Sequence, residues 1–330
     1  MEPIILPANQ PADRFYRGGP RIAAFRGAPS HSDRVPEDWV GSTTTLAGQE
    51  SLGLTVLPGG PALRDAVEHD PVSWLGEDHV QRFGPDVKLL VKLLDAGQRL
   101  PVHAHPATEF ASYHLARAHG KAEAWFILER GEIYLGLRED IHPADLLAIV
   151  VAQDIEKLLP LMHRRRVDVG DTVYVPPGVL HAIGADTFLA EVQEPEDLSI
   201  LLEWRGFELD GRRDGHLGLG FETALGAVDV RARSEEEISA LITSGAHGDS
   251  VLVAASTEFF RLGHYYVDAP LSLEAGFAVL IVTEGSLRLE FGQGRELALH
   301  RGSTVVVPHS AGPLTVTGPG SLLVCRPPAA

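Results

Sequence analysis

Short apolar runs recur along the chain, with glycine and proline between them. Examples are the runs VKLLVKLL, AWFIL, IYLGL, TVYVP and TFLAEV. Runs of four to eight residues, rich in β-branched or aromatic side chains and bounded by turn formers, are typical of β-strands. Many short strands with frequent turns predict a mainly β protein, built as a sandwich or a barrel.

The sequence predicts helices at three places in this β-rich pattern. Residues 107–119 have one such pattern and residues 142–163 have another. In the segment SEEEISALITSG, Ser234 is a candidate N-cap, Glu237 lies three residues later, and Gly245 follows the expected end of the helix.

Two parts of the chain repeat one pattern. Residues 170–176 (GDTVYVP) match residues 302–308 (GSTVVVP), and the run that ends at Gly131 parallels the run that ends at Gly285. The glycine landmarks lie 39 residues apart in the first copy and 17 in the second. Because the difference is close to the length of the 142–163 stretch, that stretch is predicted to be a helical insertion. We expect two β domains of related design, which are residues 1–245 and 246–330.

The composition of the chain limits the classes of molecule that the protein is expected to bind. The chain has 330 residues, and its longest apolar runs are far shorter than the ~20 residues of a membrane-spanning helix. With 28 Lys and Arg against 45 Asp and Glu, the formal net charge of −17 disfavours nucleic acid and anionic membranes. One cysteine, Cys325, and no recognisable signal peptide predict a cytoplasmic protein with a small-molecule partner.

Two histidine patterns carry candidate chemistry. The pattern Gly-x5-His-x-His places His103 and His105 two residues apart, so on a strand both rings share one face. The pattern Gly-x5-Pro-x-Gly-x2-His ends at His181, after a Pro-Pro-Gly turn. In this order the two patterns are the sequence signature of a cupin, a small jelly-roll barrel that holds a metal ion.

A carboxylate should complete such a site, and two glutamates are candidates. Glu109 lies four residues after His105, but inside the segment predicted to be helical. Glu123 opens an apolar run and is favoured, because a strand position gives a ligand a fixed direction. Three imidazoles and one carboxylate suit Zn(II), Fe(II) or Mn(II), and the sequence does not choose among them.

The second copy lacks these ligands. Relative to the following glycine, Phe277 stands where Glu123 stands in the first copy, and Pro313 stands where His181 would be. The second domain is therefore predicted to be metal-free. Two histidines of this half match no ligand position and are expected to be ordinary core or surface residues, namely His264 and His309.

Further segments carry a resemblance to a known family. They include FYRGGP, PEDWVGS, KLLVKLLDA, LPVHAHP, GKAEAW and FLAEVQ, and they extend over most of residues 15–330. In these segments the chain resembles the class I mannose-6-phosphate isomerases of the short bacterial type, which are two-cupin zinc enzymes. The resemblance implies two cupin jelly-roll barrels and one zinc ion, with four metal ligands, His103, His105, Glu123 and His181.

The resemblance also implies a reaction, the interconversion of an aldose and a ketose, such as mannose 6-phosphate and fructose 6-phosphate, through a cis-enediol. Glu191 matches a glutamate implicated in proton transfer in that family. Lys121 lies two residues before Glu123 and is a candidate for holding developing charge. The family's catalytic arginine aligns with Ile200, and Arg205 is a candidate replacement for it.

Two other functions stay open at this point. The three-histidine, one-glutamate set also suits an Fe(II) cupin dioxygenase, and a chain without the arginine could be a sugar-binding or regulatory cupin without turnover. A dioxygenase consumes oxygen, whereas a binding protein binds the sugar without exchanging its hydrogens with solvent through an enediol. An isomerase incorporates solvent deuterium at C1 or C2 of the sugar.

Overall fold

The structure is a computed structural model that describes residues 1–29 and 32–330. It confirms a mainly β protein with antiparallel sheets. The strands are β1 Ile4–Ile5, β2 Glu37–Val40, β3 Leu90–Asp95, β4 His103–Ala104, β5 Glu123–Glu129, β6 Gly131–Leu137, β7 Met162–Val167, β8 Thr172–Val175, β9 His181–Ile183, β10 Phe188–Gln193, β11 Ile200–Leu201, β12 Ile242–Thr243, β13 Arg261–Val267, β14 Leu271–Leu273, β15 Ala278–Phe291, β16 Arg295–His300, β17 Thr304–Val307, β18 Leu314–Thr317 and β19 Gly320–Arg326. The helices are α1 Arg21–Arg26, α2 Leu63–His69, α3 Pro71–Leu75, α4 Glu77–Phe83, α5 Thr108–Leu115, α6 Pro143–Ala152, α7 Ile155–Leu158, α8 Gly211–Asp214, α9 Phe221–Ala224 and α10 Glu235–Ser239.

Two sheets form the N-terminal unit. One has six strands in the order β12-β8-β5-β10-β3-β2, and the other has five in the order β11-β4-β9-β6-β7. An apolar cluster between them includes Trp125 and Ile127 from β5 and Ile133 from β6. Because successive strand residues point to opposite faces, Ala124 and Phe126 lie in a different cluster, which continues into the C-terminal unit.

The C-terminal unit is one eight-stranded sheet made of β13 to β19 and β1. Its interior is an apolar cluster that includes Leu280, Val305 and Val324. The N-terminal strand β1 pairs with β17, Ile4 opposite Val306. The first residues of the chain therefore join the C-terminal sheet, although the sequence analysis assigned them to the N-terminal domain.

Some of the observed helices match the helices predicted from the sequence. Helix α5 lies within the predicted segment 107–119, and α6 and α7 lie within 142–163. Helix α10 begins with the predicted capping box of Ser234 and Glu237. Its predicted extent is wrong, because α10 ends at Ser239 and the apolar residues after it form β12, which pairs with the edge of β8.

Six short helices of the described residues, α1 to α4, α8 and α9, were not predicted from the sequence. A local signal exists for α3, where Pro71 occupies the first turn and the Asp70 side chain accepts a hydrogen bond from the Ser73 amide. Three of these helices bury apolar side chains in the cluster shared with the C-terminal unit, including Phe25, Leu63 and Trp74. Among the described residues, none of the helices combines the length and the hydropathy of a membrane span.

Candidate metal centre

The three histidines predicted as ligands converge at one end of the N-terminal unit. His103 lies on β4 and His105 follows it by two residues, so both rings share a face while Ala104 packs in the apolar cluster on the opposite side. His181 begins β9 and is the Cα partner of His103. One ligand atom from each of the three side chains lies within 4.8 Å of the others, and all three residues are buried.

The turn before His181 holds this arrangement. Gly178 has a φ of +83°, a conformation that favours glycine because it has no Cβ. Its amide donates a hydrogen bond of 2.7 Å to the carbonyl of His105. The Pro-Pro-Gly turn is therefore fixed directly to the segment that carries the other two histidines.

Glu123 completes the group from the opposite sheet, at the start of β5. Its Oε2 lies 3.0 Å from Nε2 of His105, and its Oε1 lies 3.2 Å from Nε2 of His181. The indole of Trp125, on the same strand face, donates a hydrogen bond of 3.1 Å to Oε1. The competing candidate Glu109 is exposed on α5, which agrees with the choice of Glu123.

The hydrogen bonds of the imidazoles fit a bound cation. In each of the three histidines Nδ1 faces a backbone carbonyl, at 2.8 Å for His103, 2.6 Å for His105 and 2.8 Å for His181. A carbonyl only accepts, so Nδ1 carries the hydrogen and Nε2 keeps its lone pair. Nε2 of His105 and of His181, and Oε2 of Glu123, are buried without a hydrogen-bond partner. A shared divalent cation would satisfy these atoms together.

The protonation states of this group suit metal binding. Burial lowers the pKa of His103 well below its usual value, and burial together with the Lys121 ammonium lowers that of His105 to about 3. Burial opposes ionisation of Glu123, but the Lys121 ammonium beside the carboxylate helps to hold its pKa well below the usual range. The group therefore offers neutral imidazoles and a carboxylate, the forms in which these side chains bind metals.

A cavity of about 290 Å³ opens beside the ligands. Two of the predicted catalytic residues, Lys121 and Glu191, line it, and Nζ of Lys121 lies 3.3 Å from Oε2 of Glu123. The third, Arg205, does not line it. Arg205 is exposed, and its guanidinium lies 3.5 Å from the carbonyl of Ala152.

The cavity also contains charged residues that the sequence analysis missed. They come from distant segments, and they are Arg14, Glu37, Lys92 and Asp197. The signal that could have revealed two of them is a charge inside a strand-like pattern, since Lys92 interrupts an apolar run and Glu37 lies two residues before a buried Trp39. A buried charge requires partners, so such positions mark polar sites.

Glu37 contacts two of these charged residues, Arg14 and Lys92. Its Oε2 lies 3.2 Å from Nε of Arg14, its Oε1 lies 4.0 Å from Nζ of Lys92, and it accepts hydrogen bonds from the Tyr16 hydroxyl and the Trp39 indole. Burial alone would raise the pKa of Glu37. The two cations and the two hydrogen bonds outweigh burial and lower that pKa to about 2. Glu37 is therefore an anion at neutral pH, paired with two of the cations of the cavity.

Ile200 does not face the cavity. It lies on β11 opposite Ala104, fully buried in the apolar cluster beneath α6. Its neighbours Ser199 and Leu201 line the cavity instead, as the alternation of a strand requires. The sequence analysis took position 200 as the place where an arginine would act, but an arginine there would point into the apolar core.

The C-terminal unit is built differently at the corresponding place. Phe277 is buried in the apolar cluster between the two units, and Pro313 is exposed. His264 is buried, with Nε2 2.8 Å from the Ser321 hydroxyl. In the described part of the chain, His264 and His309 join no group of three or more potential metal ligands.

Known proteins similar to this chain are mannose-6-phosphate isomerases. Residues 250–327 match the family model described as the cupin domain of mannose-6-phosphate isomerase. A mannose-6-phosphate isomerase of Streptococcus mutans is 27% identical over 321 residues, which is 94% of this chain and 93% of the relative. A probable mannose-6-phosphate isomerase of Bacillus subtilis is 24% identical over 94% of this chain and 95% of its own length. The resemblance predicted from the motifs is thereby confirmed.

Solved structures agree at the level of the fold. The mannose 6-phosphate isomerase of Bacillus subtilis superposes with a TM-score of 0.70 at 20% identity, covering 99% of this chain and all of that one. A phosphomannose isomerase variant from Salmonella typhimurium superposes with a TM-score of 0.78 at 16% identity, again over 99% of this chain and all of that one. Both likenesses extend over essentially the full length of each chain.

Proposed function

We propose that this protein is a metal-dependent aldose–ketose isomerase that interconverts mannose 6-phosphate and fructose 6-phosphate through a cis-enediol. The observation that carries the proposal is the buried group of three histidines and one glutamate, open to a cavity lined by Lys121 and Glu191. The similarity to mannose-6-phosphate isomerases over 94% of the chain supports the substrate class.

The group would hold one divalent metal ion, and we propose zinc, the metal that the resemblance implies. When bound, such an ion supplies a Lewis acid that polarises the carbonyl group of the sugar. The ligands are three Nε2 atoms and the Glu123 carboxylate, and hydrogen bonds from Nδ1 to backbone carbonyls fix the rings. These ligands are His103, His105, Glu123 and His181.

Glu191 is the proposed proton carrier between C1 and C2. It is 3% exposed, and its Oε1 has no hydrogen-bond partner in the structure. Burial raises the pKa of Glu191 and Glu123 adds to this, while Lys92 opposes it. A carboxylate with a raised pKa is a better base at neutral pH than an ordinary glutamate, because it holds the abstracted proton more tightly.

Three cations of the cavity would bind the phosphate and the developing negative charge. Lys121 lies beside the ligand Glu123, whereas Arg14 and Lys92 lie on either side of Glu37. Arg14 is 9% exposed and is also 3.8 Å from Asp197. We propose that these cations supply the anion binding for which the sequence analysis offered Arg205.

For the architecture, we propose that each unit is a cupin barrel and that α6 and α7 belong to an insertion in the first, about residues 142–163. The domains would be residues 1–245 and 246–330, apart from β1, which completes the second. Only the first would hold a metal. The cluster that includes Phe126 and Phe277 packs the two units together and so supports the wall of the sugar cavity.

Exchange of solvent deuterium tests the proposal. The zinc-loaded protein is incubated in D₂O with mannose 6-phosphate, fructose 6-phosphate and the free sugars, and label at C1 and C2 is measured by NMR. We expect label with the phosphorylated pair, and a rate ~10²–10⁴-fold lower in Glu191→Gln. The matched control Glu290→Gln changes an exposed glutamate of β15. Binding of sugar without any label would instead identify a sugar-binding protein.

A further inference from the structure

Two arginines face each other in the C-terminal unit. Arg261 is the first residue of β13 and Arg326 is the last of β19, and the two are Cα partners. Partners across a strand pair point to the same face, so both side chains lie on the side of Tyr265 and Val324. All four residues line a cavity of about 620 Å³. Like charges directly opposite each other repel, and such a pair needs compensation.

Among the described residues, the acceptors that the two guanidinium groups reach are backbone carbonyls. Nε of Arg261 donates a hydrogen bond of 2.9 Å to the carbonyl of Pro327, and Nη2 of Arg326 donates one of 2.8 Å to the carbonyl of Glu274. A carbonyl accepts a hydrogen bond but neutralises no charge. Partial burial lowers the pKa of both arginines and Glu274 opposes this at each of them, while Arg261 lowers the pKa of Arg326 further. The remaining N–H groups are available to an acceptor that enters the cavity.

The place of this pair in the fold corresponds to the metal centre of the first unit. There Glu123 begins β5 and is the Cα partner of Gln193 on β10. In the second unit Val279 on β15 is the Cα partner of Cys325 on β19. The next residue of β19, Arg326, therefore lies opposite Ala278, the first residue of β15. The same end of the sheet that presents metal ligands in one unit thus presents arginines in the other.

We propose that this cavity is a second binding site, which takes the phosphate or carboxylate group of a small organic anion on Arg261 and Arg326. A guanidinium matches either group with two parallel hydrogen bonds. Carboxylates also line the cavity, and they would repel long polyanions while accepting hydrogen bonds from hydroxyl groups of a small ligand. They are Glu77, Asp78, Asp249 and Glu274.

Calorimetric titration with glycerol 3-phosphate and with glycerate tests the site and separates phosphate from carboxylate. The variants are Arg261→Gln and Arg326→Lys. Arg326→Lys keeps the positive charge but loses the planar guanidinium group. The control Arg288→Gln changes an exposed arginine of β15 that lies 3.6 Å from Glu296. Deuterium exchange is measured in the same samples, and we expect it to be unchanged, because none of the residues that line this cavity lines the cavity beside the metal centre.

We expect wild type and Arg288→Gln to bind at least one of the two probes at a site that is weakened ~10-fold or more in Arg261→Gln. Since Arg261 is exposed, that variant should keep its melting temperature. Binding that is unchanged in Arg261→Gln, an equal loss in Arg288→Gln, or no binding of either probe by wild type would overturn the proposal. These outcomes do not depend on isomerase activity, so the two proposals fail separately.

Discussion

Glu191 and Lys92 are Cα partners on β10 and β3, and Nζ of Lys92 lies 3.4 Å from Oε1 of Glu191. Lys92 is in turn the Cα partner of Trp39 on β2, and its ammonium lies 4.8 Å from the centre of the indole ring. The proposed proton carrier is therefore paired with a cation that is 2% exposed and held from its other side. This pairing couples the ionisation of Glu191 to Lys92.

Replacing Lys92 with methionine should shift the pH dependence of the reaction. Lys92 lowers the pKa of Glu191 against the effect of burial. Without the ammonium that pKa rises further, because the carboxylate loses an adjacent opposite charge. If Glu191 acts as the base, the acidic limb of kcat/KM must move to higher pH.

The measurement is a pH profile of kcat/KM for Lys92→Met, with Lys157→Met as the control, because Lys157 is exposed on α7. An acidic limb that stays at the wild-type pH in Lys92→Met would show that Glu191 is not the group titrating.

Acid stability should depend on Glu37. The folded-state pKa of Glu37 is lowered to about 2 from an ordinary value of 4.5. A lowered pKa stabilises the fold above the unfolded-state pKa, and this contribution is lost as the pH falls from about 4.5 to about 2. The shift corresponds to about 3 kcal/mol. We expect Glu37→Gln to be less stable at pH 7 and to lose less stability over that interval.

Urea unfolding at several pH values measures this effect, with Glu68→Gln as the control on the exposed surface of α2. Equal acid sensitivity of Glu37→Gln and wild type would contradict the assignment of Glu37 as a buried anion.

Metal content should depend on the first unit alone. We expect one divalent ion per chain, and its loss in His181→Ala. A chelator should lower the melting temperature, because an ion present at ~100 times its dissociation constant stabilises a fold by about 2.7 kcal/mol. His264→Ala is the matched control, a buried histidine of the second unit. Elemental analysis that finds metal lost from His264→Ala as well would contradict a single site in the first unit.

The convergence of the three histidines could be predicted from the sequence, because strand alternation and one short turn bring them together. His103 and His105 share a face by their spacing, and the Gly178 turn brings His181 to them. The cations of the cavity could not be predicted in this way. Arg14 lies in an irregular segment, and Lys92 lies between apolar neighbours on β3. Their meeting depends on the order of strands in the sheet, which local spacing does not encode.

Alignment from Trp204 also could not predict which face of its strand the side chain at position 200 occupies. A shift of one residue on a strand moves a side chain to the opposite face. Counting from a landmark therefore identifies the strand but not the side on which a residue lies. The structure shows Ser199 and Leu201 at the cavity and Ile200 in the apolar core.

Introducing an arginine at position 200 should consequently destabilise the protein without increasing its activity. Ile200 is fully buried, and it packs in a cluster with Leu146 and Val150 of α6. A guanidinium there would be buried without a carboxylate partner, at a cost of about 3 kcal/mol or more. Ser199 is half-buried and lines the cavity, so Ser199→Arg places the same group among acidic side chains such as Asp197. We expect urea unfolding to show a much larger loss of stability for Ile200→Arg than for Ser199→Arg. A stable Ile200→Arg variant with faster deuterium exchange would mean that this side chain faces the cavity after all.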